Sequence, residues 1–219
     1  MSQPVALLLD FGGVLTTDLW ESIRAATRRA GLPENVILDL MRDDPEGHAQ
    51  FTALERGDIT QAEYEPYLAG RIGVPPDGLL ADLCADLRPD EAMWKAISVL
   101  RQRGVRLAVV SNSWGAGYFS PYAGWGLENL VDAIVISHEV GMRKPEPGIF
   151  ALALDLLGVR AAGAVFVDDI ASNLEPARAM GMRVVHHTDS GCTVAELQRQ
   201  FPPAEGSMVS ASGTADAPT

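Results

Sequence analysis

Five short apolar runs bounded by turn residues recur along the chain: VALLLD (5–10), VRLAVVS (105–111), AIVIS (133–137), GAVFVDD (163–169) and MRVVHH (182–187). Runs of this length without polar alternation predict strands buried on both faces, the habit of parallel sheets. Between them lie helix-length segments such as DEAMWKAISVLRQRG and PEPGIFALALDLLG. In the second, Ile149, Phe150, Ala153, Leu156 and Leu157 fall on one helical face before Gly158 stops the run. Strand and helix in alternation predict an α/β fold with a doubly wound parallel sheet.

From Thr16 to Arg88 the alternation lapses and the pattern is helical throughout. Trp20, Ile23 and Ala26 or Thr27 recur at helical spacing, and Thr60 with Glu63 has capping-box spacing. The expectation is a core from 1–15 and 89–201, a helical insertion at 16–88, and a disordered tail over 202–219, where small and polar residues dominate.

Composition narrows the partners. A formal net charge of -12 disfavours a broad footprint on nucleic acid or an anionic membrane, so a small molecule reaching a locally positive pocket is expected. The opening MSQPVALLLD has no basic flank and a short apolar run, which reads as neither signal peptide nor membrane span. Cys84 and Cys192 stand far apart with no metal-ligand spacing, so a reducing cytoplasm is expected. Oligomeric state is open.

In an open parallel sheet, ligands bind beyond the carboxyl ends of the strands. Those ends carry Asp10 followed by Phe-Gly-Gly, then Ser111-Asn112, then Asp168-Asp169, and Lys144 precedes the helix leading into the fourth strand. Such crowded anions need a cation, and oxygen-only ligands favour Mg²⁺. Asp10 can then attack phosphorus while Lys144 and the Ser111 hydroxyl hold the phosphoryl oxygens. Plainer roles compete: Gly12 and Gly13 as a tight turn with positive φ, Lys144 as an exposed loop charge, and Ser111, Asn112 and Asp168 as helix caps. His48, His138, His186 and His187 read as structural or surface residues, and Trp114, Tyr118, Tyr122 and Trp125 as packing under the insertion.

DFGGVL (10–15), VVSNS (109–113), RKPEPGIF (143–150) and FVDDIASNLEPARAMGM (166–182) resemble, in order and spacing, the four motifs of the haloacid dehalogenase superfamily. The nearest likeness is to the branch containing the amino-terminal phosphatase domain of soluble epoxide hydrolases and sugar-phosphate phosphatases. It spans about Ala6 to Val185, including LERGDITQAEY in the insertion. The resemblance implies a Rossmann-like core with a helical cap and an aspartyl-enzyme mechanism on a small phosphorylated metabolite. By position, Asp10 matches the nucleophile, Ser111 and Asn112 the phosphate-binding pair, and Lys144 the charge-balancing lysine. Asp10, the Gly12 carbonyl and Asp169, with Asp168 beside it, match the Mg²⁺ ligands.

One position departs from the pattern. Where phosphatases of this superfamily usually carry a second Asp as general acid and base, this chain has Gly12. Two other functions therefore stand beside the phosphatase: a non-catalytic binding protein on the same fold, and a haloacid dehalogenase, which needs no acid. Against the dehalogenase, two extra carboxylates at 168 and 169 would repel a carboxylate substrate. Leaving-group choice is expected from the insertion near Glu55 to Tyr64.

Overall fold

The computed structural model describes residues 3–203. In chain order the elements begin with β1 (Ala6–Leu9), α1 (Leu19–Arg29), α2 (Val36–Arg42), α3 (Pro45–Arg56), α4 (Gln61–Ile72) and α5 (Leu79–Leu83). They continue with α6 (Glu91–Gln102), β2 (Arg106–Ser111), α7 (Leu127–Leu130), β3 (Ala133–Ile136) and α8 (Ser137–Val140). The chain closes with α9 (Pro147–Leu157), β4 (Ala164–Asp168), α10 (Ala171–Ala179), β5 (Arg183–His186) and α11 (Ser190–Gln200). Each apolar run forms a strand, trimmed by a residue or so at its ends.

All pairings are parallel, in the order β3-β2-β1-β4-β5. Every residue of β1 and β4 is buried because helices cover both faces of the sheet. One face packs Leu7, Leu9, Leu107, Val109 and Val165 against Met93 and Ile97 of α6. The other packs Leu8, Ala108 and Phe166 against Ile149, Phe150 and Ala153 of α9. Gly158, at φ 65°, ends α9 as its position suggests. Leu156 is a correction: it is 58% exposed, and Leu154 takes the buried place beside Leu157. The buried stripe is centred nearer Phe150, which leaves Leu156 at its edge.

The helices α1 to α5 enclose a separate apolar cluster of Ile23, Ile37, Met41, Leu54, Tyr64 and Leu68, joined by Trp114. The Glu63 carboxylate accepts hydrogen bonds from the Thr60 N–H and hydroxyl, both at 2.8 Å, and this fixes the start of α4. Where the chain leaves and regains the sheet, Thr17 N–H donates to Arg88 O at 2.8 Å and Asp90 N–H to Leu15 O at 3.0 Å. Tyr118 is a second correction. It is 60% exposed rather than packed inside, and only its hydroxyl is anchored, donating to Oε1 of the buried Glu65 at 2.6 Å. Cys84 is buried and Cys192 exposed, both free thiols. No helix among the described residues is long and apolar enough to cross a membrane. Residues 204–219 of the expected tail lie outside the described residues.

Candidate active site

Register decides what meets at the sheet's edge. Leu9 pairs with Val109 on one side and Val167 on the other, so Asp10, Ser111 and Asp168 emerge together where the chain order reverses. Lys144 arrives from the loop before α9 and is 1% exposed, so it is no surface charge. Its Nζ lies 2.7 Å from Asp10 Oδ1 and 2.7 Å from Asp168 Oδ2.

The two aspartates of the fourth strand end are in different states. Asp168 Oδ1 accepts from Ile170 N–H at 2.8 Å and Asn173 Nδ2 at 3.0 Å, while Oδ2 accepts from Lys144. Asp169 Oδ1 is buried and has no hydrogen-bond partner among the described residues. Its carboxylate rests on Gly13, at φ 77°, where a Cβ would come within 3.0 Å of Oδ2. Positive φ belongs to Gly13 alone and not to Gly12, which corrects the expectation for the pair.

Asn112 also departs from expectation. Its Oδ1 accepts from Lys144 N–H at 2.8 Å and its Nδ2 donates to Lys144 O at 3.0 Å, so the side chain clamps the lysine backbone, and the same amide also reaches the Glu55 carboxyl. The Ser111 hydroxyl, 3% exposed, accepts from the Tyr122 hydroxyl at 3.0 Å.

Charge crowding is visible in the acidities. Burial first, with Asp168 and Asp169 adding to it against Lys144, pushes the Asp10 carboxyl up to about 8. Asp169 is pushed up to about 6 by burial and then Asp168, with Lys144 and the Trp20 indole pulling back. Burial alone would lower Lys144, but Asp10 and Asp168 override it and hold the ammonium well above its ordinary range. Oxygen atoms of Asp10, Asp168 and Asp169 lie within 4.8 Å of one another. An all-oxygen set with a partnerless buried oxygen and one ammonium among three carboxylates suits a hard divalent cation such as Mg²⁺.

A cleft of about 530 Å³ opens above this cluster, with Asp10, Gly12, Asn112 and Lys144 in its floor. The rest of its lining is largely apolar, with Leu19, Trp20, Met41 and Phe51 from α1 to α3 and Trp114 from the segment after β2. A larger hollow of about 630 Å³ beside Trp94 and Trp125 contains none of the clustered carboxylates. Three charged side chains line the cleft besides Asp10 and Lys144: Arg42 and Arg143, which no sequence pattern marks for a role, and Glu55, the first residue of the stretch expected to choose the leaving group. Glu55 and Phe51 share a face of α3 with His48, four and seven residues apart; that spacing is the only sequence signal, and His48 lines the cleft too.

Residues 5–181 match the family model of haloacid dehalogenase-like hydrolases. The chain is 30% identical over 197 residues to the sesquiterpene phosphatase astK of Aspergillus oryzae, covering 89% of this chain and 95% of that one. It is 28% identical over 218 residues to bifunctional epoxide hydrolase 2 of Rattus norvegicus, covering 89% of this chain but 39% of that protein. The chain thus spans about two fifths of the length of such epoxide hydrolases. A haloacid-dehalogenase-family enzyme from Bacteroides thetaiotaomicron, solved with magnesium and inorganic phosphate, shares the fold at a TM-score of 0.65 and 23% identity, over 84% of this chain and 93% of that one.

Proposed function

The chain belongs to the haloacid dehalogenase-like hydrolases, and from that premise we propose that it is a Mg²⁺-dependent phosphatase of small organic phosphates working through an aspartyl-phosphate on Asp10. The observation that carries the reading is the buried Lys144 ammonium bridging Asp10 and Asp168 at 2.7 Å, beside the partnerless oxygen of Asp169. Asp10 Oδ1 is held by Lys144 and by Phe11 N–H at 2.6 Å, which leaves the other carboxylate oxygen to attack phosphorus. The Ser111 hydroxyl and the Lys144 ammonium bind phosphoryl oxygens, and Asn112 keeps Lys144 in place through its backbone. Asp10, the Gly12 carbonyl and Asp169 would hold the metal. Asp168, expected among the ligands, has its oxygens engaged by Lys144, Ile170 and Asn173 and acts by orienting the lysine. When bound, the ion supplies neutralising charge and Lewis acidity at the phosphoryl oxygens.

The aromatic and aliphatic wall opposite Asp10 favours a leaving group with an apolar face. The clustered carboxylates oppose the dehalogenase alternative, since Asp168 and Asp169 beside Asp10 would repel a haloacid. Gly12 favours a second reading, a binding protein without turnover. Steady-state hydrolysis of p-nitrophenyl phosphate separates them. Activity is expected with Mg²⁺ and not with EDTA, and Asp10→Asn should lower it by roughly 10⁵-fold or more. Equal turnover in EDTA, or an active Asp10→Asn protein, would overturn the reading; no turnover on any activated phosphate would favour the binding protein.

A further inference from the structure

Without a carboxylate at position 12, proton transfer needs another group in the cleft. Besides Asp10 and Lys144, its titratable or charged lining residues are Arg42, His48, Glu55 and Arg143. A guanidinium holds its protons too tightly to exchange them. His48 is exposed at the mouth, with Nδ1 bound to Met41 O at 3.1 Å. Glu55 is 6% exposed and lies deep.

We infer that Glu55 is the general acid and base of the reaction, a catalytic residue delivered from α3 in place of the carboxylate that Gly12 lacks; the inference rests on the phosphatase reading. Three observations support it. First, Glu55 is a buried carboxyl in the cleft lining whose Oε2 meets a single cation, Arg143 Nη2 at 2.6 Å, off the line of a hydrogen bond. A carboxyl held by one misaligned cation keeps oxygen lone pairs, or a proton, to offer a substrate in the cleft.

Second, the end of α3 that carries Glu55 is pinned to the sheet layer. Glu55 O accepts from the Ser137 hydroxyl at 2.5 Å, and Arg56 pairs with Glu146. Gly57, at φ 79°, lies so close to His138 O that a Cβ there would come within 2.6 Å. The carboxylate is therefore held at a fixed place over the floor. Third, Glu55 lines the same cleft as Asp10, Gly12 and Lys144, so an oxygen displaced in line from phosphorus leaves Asp10 for the space that Glu55 borders. In support, burial pushes the Glu55 carboxyl up to about 7 against Arg143 and Lys144, where it can both give and take a proton near neutrality.

The steps balance. An Asp10 oxygen forms a bond to phosphorus as the ester P–O bond breaks, and the leaving oxygen takes the Glu55 proton. Water then attacks phosphorus, giving its proton to the Glu55 carboxylate as the Asp10–phosphorus bond breaks. Phosphate leaves, and both side chains return to their starting states.

Glycerol phosphate, whose alkoxide needs a proton, and p-nitrophenyl phosphate, whose phenolate does not, are the probes. Glu55→Gln is expected to lower kcat on glycerol phosphate about 10²–10⁴-fold. On p-nitrophenyl phosphate it should leave a burst of p-nitrophenolate stoichiometric with enzyme, followed by slow turnover as the aspartyl-phosphate waits for a base. Gly12→Asp in that background should restore glycerol phosphate turnover, since φ there is ordinary and only the Leu19 side chain, 3.3 Å from the new Cβ, has to yield. Unchanged glycerol phosphate turnover in Glu55→Gln, or equal losses on both esters with no burst, would overturn the assignment while leaving the phosphatase reading intact. A wild type inactive on both esters would overturn the two together.

If Glu55→Gln does not fold, the wild type carries the test. Release of the alkyl group should decline above about pH 7 while the p-nitrophenolate burst does not. Glu55 is faced by Arg143, Lys144 and Asn112, by Tyr64 of α4 and by Tyr122, and shares its helix with His48. A common pH limb for the two esters would count against Glu55.

Discussion

On the strand side of the cleft one ammonium meets two carboxylates at 2.7 Å, and every oxygen of Asp168 has a donor. On the helical side Glu55 meets one guanidinium, Arg143 Nη2 at 2.6 Å from Oε2, in a cleft lining that also holds Phe51 and Trp114. The strand side is a fixed electrostatic frame, its groups held in register by the sheet and by Asn112 on the Lys144 backbone. The helical side offers shape and, deep in the cleft, a carboxyl that can exchange a proton. Transition-state charge is best met by groups already oriented before reaction, which is what parallel strand ends provide.

The largest effect expected is on the frame itself when no metal is bound. Folded Asp10, Asp169 and Glu55 titrate at about 8, 6 and 7, against reference values of 3.8, 3.8 and 4.5. Across that interval the folded state binds more protons than the unfolded state, so stability present at low pH is lost as pH rises through the folded values. Carboxyls held low, such as Asp44 and Asp189, act in the opposite sense, their stability being lost as pH falls below the ordinary carboxylate range. In EDTA the Tm should therefore fall between pH 5 and pH 8 by on the order of 10 °C, given about 2–4 °C per kcal/mol for a chain of this size. Mg²⁺ should flatten the decline by competing with protons at Asp10 and Asp169. A metal-free Tm that rises over this range would mean that the carboxylates are not crowded.

Removing the ammonium tests the frame a second way. Lys144→Met keeps the side chain's length in a site 1% exposed but strands the 0% exposed Asp168. A loss of about 3–5 kcal/mol is expected, the usual cost of breaking a buried pair on one side. Urea unfolding midpoints at unchanged m measure it. Glu55→Gln should lose less, because its partner Arg143 keeps 20% of its side chain exposed and can turn to water, as Asp168 cannot. Equal losses would erase the distinction between the two sides.

What could be read in the sequence follows the same divide. A strand end puts its last residue at a predictable edge, so a parallel sheet makes neighbours of Asp10, Ser111 and Asp168 from the sequence alone. Thr60 and Glu63 were legible because a capping box is local. The Asn112 clamp joins residues 32 apart and depends on where a loop crosses the sheet, which no local pattern encodes. Asn173, bound to Asp168 at 3.0 Å, lies only five residues on, but its reach back to the strand end depends on how α10 docks and not on the spacing. Glu55 lay in a helix whose amphipathic pattern cannot say which buried face looks onto a cleft rather than a core.

The smallest effect expected concerns the mouth of the cleft. Arg42 ends α2 with its guanidinium 3.9 Å above the Trp20 ring and has no ion-pair partner among the described residues. In a chain of net charge -12, an unpaired cation at the entrance is a local exception to a field that repels phosphate dianions. Stacking on the indole keeps the guanidinium in place without neutralising it. Arg42→Ala should raise KM for phosphomonoesters about 3- to 10-fold, which is roughly 0.7–1.4 kcal/mol of binding. The kcat should hardly move, because Arg42 stands at the rim while the reacting atoms meet at Asp10. The KM ratio of variant to wild type should shrink from low salt to 0.5 M NaCl, where the Debye length is shorter than the path from rim to floor. A KM effect indifferent to salt would mean that Arg42 touches the substrate directly, and the helical side would then contribute fixed charge as the strand side does.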